Sequence, residues 1–237
     1  MKLLWYSCSR FAPIILEKLR QEFLRANFER GSINGFQLDQ ARPSWIEGKY
    51  FERINFVETV TDPFGNNIEI SRVRFDVIDF RLSTNFPELQ IKNSPKTLRE
   101  IFGPSSGKFL GQVAKFTNFT LAIEWVDLEL VDLIESLTTV APSMEVRTLT
   151  VENLPLADGI TGRMSISGER DVRRDAREYI RRKHAAVRKI GLRFSNPRAQ
   201  TDVFNTGRAT VATDEEDEVA ELLRRGIKLA VAKTRGL

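Results

Sequence analysis

Few residues in this chain have side chains suited to covalent or metal chemistry. Among 237 residues there is one histidine, His184, and one cysteine, Cys8. A single histidine excludes two-histidine zinc sites and histidine-pair hydrolases. A single cysteine excludes an internal disulfide and any multi-thiolate metal centre. Cys8 lies far along the chain from the one imidazole that would activate it, so the expected state is an inert thiol. Carboxylate and lysine chemistry remains. Glu47 and Lys49 follow Asp39, while Asp76, Asp79, Glu88 and Lys92 form a second group. Carboxylates holding Mg with a lysine nearby are what a metal-dependent nuclease requires. Such pairs also arise by chance in a chain with 32 acids and 36 bases.

Two loop motifs are weaker. Gly103, Ser105 and Gly107 fit the G-x-S-x-G pattern of a nucleophile elbow, and Asp127 or Asp158 then His184 follow in hydrolase order. That elbow needs a buried strand before it, whereas Leu98 to Phe102 reads as helix. His184 also falls within a helical pattern, so a serine hydrolase is not the expectation. Gly107 and Lys108 imitate a phosphate loop, but the spacing from Gly103 is one residue short and Phe109 stands where Ser or Thr is needed.

The most pointed chemistry lies in residues 172–190. On a helical wheel at about 100° per residue, Val172, Ala176, Tyr179, Ile180, Ala186, Val187 and Ile190 share one apolar arc. Lys183 sits within that arc and must snorkel. The opposite arc holds Arg173, His184, Arg177, Arg188, Arg181 and Arg174, with Asp175 and Glu178 off to one flank. Arginine offers a permanently charged planar fork that pairs bidentately with phosphate. Such a helix would run roughly 27 Å, enough to follow several backbone phosphates. The competing readings are a solvated basic face, or pairing with the acidic stretch Asp127, Glu129, Asp132 and Glu135, within the fold or across an oligomer.

Charge distribution supports a segmental view. The net charge is +4 with 36 basic and 32 acidic residues, and the sequence pI is about 9.3. Residues 161–208 carry 13 bases and 5 acids, whereas residues 111–160 carry 2 and 8. Sign asymmetry of this kind says more about partners than the total does. Sequence-specific readout is not indicated, for there is no zinc-finger spacing, basic zipper or RRM-like aromatic signature. Phe116, Phe119 and Trp125 are able to stack bases but read first as core.

The elements that must position these residues are a mixture. Ser9 to Asn27 has helical periodicity, and Tyr50–Val60 and Ile68–Leu82 flank a turn as a hairpin. The second strand changes apolar phase from Val73, Phe75 and Val77 to Ile78, Phe80 and Leu82, which predicts a β-bulge. A helix is expected from Pro95 to Phe102 and another over 127–137. Strands are expected at 116–125, 144–154, 163–167 and 190–194, with a turn at Asp158 and Gly159. The basic amphipathic helix spans about 170–189, 195–212 reads as a mobile loop, and a capping box at Thr213 and Glu216 opens a C-terminal helix ended by Gly226. Ile227, Leu229 and Val231 then alternate as a closing strand.

The fold expectation is α+β, with a mixed, largely antiparallel sheet, an N-terminal helix, the basic helix and the C-terminal helix. Residues 1–237 form one globular domain, divisible into lobes at about 1–140 and 141–237. The N-terminal apolar run breaks at Ser7–Arg10, before a usable signal core, and no run spans a membrane. A cytoplasmic protein is expected. The functional expectation is non-specific phosphate contact with DNA or RNA through Arg173, Arg174, Arg177, Arg181, His184 and Arg188, alone or as a complex subunit. No cofactor is expected, apart from Mg if the nuclease reading holds. The alternatives are a scaffold subunit whose basic helix meets an acidic protein surface, self-association included, and a metal-dependent nuclease.

Overall fold

The computed structural model describes residues 1–93, 104–157, 160–180 and 185–234. In chain order the elements begin with β1 (Lys2–Ser9), α1 (Pro13–Arg25), β2 (Asn34–Arg42), β3 (Trp45–Thr61), β4 (Asn67–Ser83) and β5 (Leu89–Asn93). There follow α2 (Pro104–Phe116), β6 (Ala122–Trp125), α3 (Leu130–Val140), β7 (Glu145–Ala157) and β8 (Ile160–Ser167). The chain closes with α4 (Arg173–Ile180), β9 (Ala186–Phe194), β10 (Ala199–Phe204), β11 (Arg208–Ala212) and α5 (Glu216–Thr234). The α+β expectation holds. The strands belong to an eleven-stranded open sheet, antiparallel in every strand pair whose register is described. No helix of the described residues is long and apolar enough to cross a membrane.

Two compact units share the chain. One comprises 9–85 and 91–123, the other 1–8, 86–90 and 124–237.

In the first unit, β2, β3 and β4 form a meander with α1 and α2 over one face. Leu16, Leu19 and Phe23 of α1 are buried at helical spacing. Phe23 stacks on Phe36 at 4.2 Å and meets Phe80 edge-on at 5.4 Å. The predicted bulge in β4 is absent, since β3 and β4 pair without interruption from Trp45↔Ser83 to Thr61↔Asn67. The apolar phase changes because the covered face changes. Ile78, Phe80 and Leu82 are buried in the core, whereas Phe75 points to the other face, where Phe28 rests on Phe51 at 4.7 Å and on Phe75 at 5.9 Å. The irregularity lies instead in β2, between Leu38 and Gln40.

The second unit orders its strands β1-β11-β10-β9-β7-β8. One face carries Leu3, Trp5, Val146, Leu149, Ile190, Leu192, Val203 and Val211 into a core closed by α3, α4 and α5. Residues 195–212, expected as a mobile loop, instead supply β10 and β11. Ala199, Thr201 and Val203 alternate inward, as do Ala209 and Val211. Gly207 turns this hairpin at φ +67°, and a Cβ there would lie 2.7 Å from the Val126 carbonyl oxygen. Helix α5 runs through Gly226 to Thr234, so 227–231 is helix and not strand. Val219, Leu223, Ile227 and Ala230 recur every three or four residues and are all buried.

The basic helix is also shorter than expected. It ends at Ile180, and Ala186 onward is strand β9, flanked by β7 and β10. Residues 186–190 fit both periods, but Ile190, Leu192 and Phe194 reach the core at a spacing of two, and ladder bonds on both edges decide for strand.

Candidate nucleic-acid interface

The predicted arginines divide by environment. Asp171 accepts the backbone N–H of Arg173 on Oδ1 at 2.9 Å, opening α4, and its Oδ2 meets the Arg173 guanidinium at 2.6 and 2.7 Å. Arg173 Nη1 also donates to Thr138 Oγ1 of α3 at 2.8 Å. Burial pushes the Asp171 carboxyl up. The Arg173 guanidinium and N–H outweigh that and hold it below its ordinary value. Arg173 therefore ties α4 to α3. Arg188 lies on β9 and pairs with Glu152 at 3.1 Å, where Arg163 approaches the same carboxylate at 3.7 Å. Arg181 and His184 lie outside the described residues. Arg174 and Arg177 are exposed on α4 and have no ion pair among the described residues.

Of the acidic stretch, Glu135 of α3 binds Lys233 of α5 at 2.7 Å and Asp132 has a partner of its own, while Arg173 of α4 donates to the Thr138 hydroxyl of α3.

Three further arginines of this segment, Arg170, Arg193 and Arg198, share the condition of Arg174 and Arg177: exposed, with no ion pair among the described residues. The comparable acids in 161–208 are Glu169 and Asp175. Asp171 serves Arg173, and Asp202 serves Lys189 at 2.8 Å. Folding thus engages Asp171 and Asp202, Glu178 has a partner of its own, and five guanidinium groups are left without an ion pair among the described residues. Helical periodicity over 172–190 does not reach Arg193, which falls in the expected strand 190–194, or Arg198, which falls in the expected loop 195–212. Alternation on either side of Asn205–Gly207 is the hairpin signal that would have found them.

The face of the second unit's sheet away from its core is polar. Across neighbouring strands run Leu4, Arg208, Phe204, Lys189 and Thr150; then Lys2, Thr210, Asp202, Gly191 and Thr148; then Ala212, Gln200, Arg193 and Glu145. The Arg208 guanidinium lies 4.0 Å from the Phe204 ring centroid, and the Lys189 ammonium 5.6 Å from it. A cleft of about 550 Å³ opens on this face, lined by Arg147, Thr148, Gly191, Arg193, Asp202 and Thr210 among others. Arg193 and Arg198 both line a neighbouring cleft of about 390 Å³, together with Asp214 and Glu215.

The carboxylate–lysine sets meet in part. Lys49 lies 2.8 Å from Asp79 and 3.7 Å from Asp39 across β2, β3 and β4. The Asp79 hydrogen bond raises the Lys49 pKa above its ordinary value, outweighing the opposing effect of burial. Glu47 pairs with Arg81 at 3.0 Å, Asp76 with Arg74 at 3.0 Å, and Glu88 accepts the Cys8 backbone N–H at 3.2 Å. Lys92 has a partner of its own. Among the described residues no three His, Cys, Asp or Glu side chains converge as metal ligands. Burial, then Glu88, raises the Cys8 thiol to about 12, so it is protonated at neutral pH and not poised as a nucleophile. Of the hydrolase motif, Gly103 lies outside the described residues and 104–107 form the first turn of α2. Another buried carboxylate, Glu52, accepts the Tyr50 hydroxyl at 2.7 Å and pairs with Lys108.

Of the aromatics weighed as base platforms, Phe116 packs with Phe23 and Phe36. Phe119 and Trp125 are exposed, and Trp125 rests on Tyr6 at 4.7 Å. No protein-family model matches the sequence, and no curated protein matches it either.

Proposed function

We propose that this protein binds nucleic acid through phosphate contacts, without sequence readout, alone or as a subunit of a nucleic-acid-handling complex. The observation that carries the reading is the set of five exposed arginines in 161–208, Arg170, Arg174, Arg177, Arg193 and Arg198, none with an ion pair among the described residues. A guanidinium that no carboxylate neutralises is available to a phosphate at little desolvation cost, and each phosphate neutralised releases condensed counterion. Arg173 and Arg188, both expected at this interface, contribute to it less, because Asp171 and Glu152 already engage them.

The test is a fluorescence-anisotropy titration with labelled DNA and RNA, single- and double-stranded, between about 50 and 200 mM salt, the range over which phosphate contacts lose most affinity. Charge reversal of the five arginines is expected to abolish binding while the folded signal persists. If the wild-type protein binds none of the four probes at the lowest salt, the reading fails. A protein complex that dissolves on the same reversal, without nucleic-acid binding, would transfer the surface to an acidic protein partner.

A further inference from the structure

We propose that the projecting half of the β3–β4 hairpin, residues 54–76, is a dimerisation arm whose helix-side face packs on the same face of a second copy of this chain. The proposal is independent of the nucleic-acid reading above and uses a surface of the first unit, outside 161–208.

At its root the hairpin is covered. Ile46, Tyr50, Ile78, Phe80 and Leu82 are buried, with Phe109 of α2 against Tyr50 at 5.7 Å and Phe23 of α1 against Phe80 at 5.4 Å. The β2 ladder ends at Asn34↔Glu52, but β3 and β4 stay paired out to Thr61↔Asn67. Asp62 builds the tip. Its Oδ1 accepts the Phe64 and Asn66 backbone N–H groups, each at 2.8 Å, and Gly65 turns the chain at φ +87°. The arm is a formed ribbon.

Its apolar pattern outlasts the helices that cover the root. Residues opposite one another share a face, so the helix-side face continues through Ile54↔Arg74, Phe56↔Arg72, Glu58↔Ile70 and Val60↔Ile68. Phe56 is 42% exposed, Ile68 49% and Phe64, at the tip, 90%. Seven of the fourteen large apolar side chains exposed among the described residues fall within the arm, about a tenth of the chain. A two-stranded ribbon with bare apolar side chains is marginal in water and gains stability from cover.

Charge and area select a second copy as that cover. The arm carries Arg72 and Arg74 against Glu58, Asp62, Glu69 and Asp76, so it repels a phosphate backbone or an anionic lipid surface. On the helix-side face Arg72 binds Glu58 at 2.8 Å and Arg74 binds Asp76 at 3.0 Å, base beside acid. A face holding both signs is complementary to itself, because about a two-fold axis the Glu58–Arg72 pair meets its own copy with acid near base. Antiparallel arms also lay Ile54 of one copy over Val60 of the other and keep the two bodies apart. Together with Glu58, Arg72 and Arg74, the apolar side chains of this face and Phe64 expose on the order of 800 Å², on a scale of about 150–250 Å² for a large side chain. A standard interface takes about 800 Å² from each partner.

The experiment is sedimentation equilibrium of the full chain up to about 100 µM, above the micromolar limit of standard-sized interfaces. The wild type is expected to approach twice 27.1 kDa. Phe56→Ser and Ile68→Lys should each raise the dimer dissociation constant at least tenfold, with thermal unfolding showing that the fold is kept. Glu58→Arg and Arg72→Glu should each weaken association alone, whereas an equimolar mixture of these two variants should associate several-fold more tightly than either, since acid again meets base across the axis. Charge reversal of the five arginines should leave the dimer intact. A wild type that keeps the mass of one chain at about 100 µM overturns the proposal. So does a dimer that survives Phe56→Ser and Ile68→Lys in folded protein, a mixture that associates no better than its components, or a dimer lost on the five-arginine reversal.

Discussion

Arg173 and Arg174 are neighbours of the same type, yet they should fail in opposite ways when changed to alanine. Arg173→Ala removes a guanidinium that makes two contacts under 2.8 Å with Asp171 and one of 2.8 Å with Thr138 Oγ1. A hydrogen bond to a charged group is worth about 1.5–3 kcal/mol when buried, and an exposed ion pair about 0–1 kcal/mol. Arg173 is about one-third exposed, so solvent screening discounts the sum to about 1–2 kcal/mol. For a chain of this size that is about 2–8 °C in Tm. Arg174→Ala loses only solvated surface and should stay within about 0.5 kcal/mol. In binding the order reverses. Arg174→Ala should reduce the slope of log K against log salt by about 0.7 on a single strand or about 0.9 on a duplex, the signature of one lost phosphate contact. Arg173→Ala should leave that slope unchanged once the unfolded fraction is allowed for. Urea unfolding and a four-point salt titration read both quantities. Equal stability losses, or a slope change at Arg173 and none at Arg174, would refute the division of roles.

Glycine contacts give a second contrast. Gly226→Ala should destabilise by about 1 kcal/mol, because a Cβ would lie 2.5 Å from Leu137 Cδ2 in the core and overpacking outweighs the gain in helix propensity. Gly111→Ala in α2 meets nothing within 4 Å and should stabilise by up to about 1 kcal/mol in the same urea assay. Acid unfolding tests Asp171. Its folded pKa is held below the ordinary 3.8, so its contribution is complete above that value and is lost as pH falls through the lower folded one. Tm measured from pH 7 down to pH 3 should therefore fall less steeply for Asp171→Asn than for wild type, and parallel curves would count against the pairing.

The elements legible in the sequence were those whose period was clean over several turns or pleats. Helix α1 and its buried Leu19 and Phe23, the β3–β4 hairpin and helix α3 belong to that group. Short segments with both periods were not legible. Residues 186–190 carry a helical arc and a strand alternation at once, and only ladder partners on two edges distinguish them. Gly226 is a plausible helix stop until a second helix lies against it, when the missing side chain becomes a packing requirement. In β4 the phase change was visible, but its cause was not, because which face is covered depends on Phe28, more than forty residues earlier.

The candidate interface shows the same limit. By itself the sequence determined the chemical inventory: one imidazole, one thiol, and a basic excess gathered in 161–208. It also determined the mixed α+β class, since periods of 3.6 and 2 are properties of local chain geometry. Which cations remain free was decided only by the tertiary structure. Asp171, Glu152 and Asp202 engage Arg173, Arg188 and Lys189, the last two across neighbouring strands, and leave Arg174, Arg177 and Arg193 without an ion pair among the described residues. Composition fixes how many charges a segment holds. Over distances of a few ångströms in a poorly screening medium, the fold decides which of them meet.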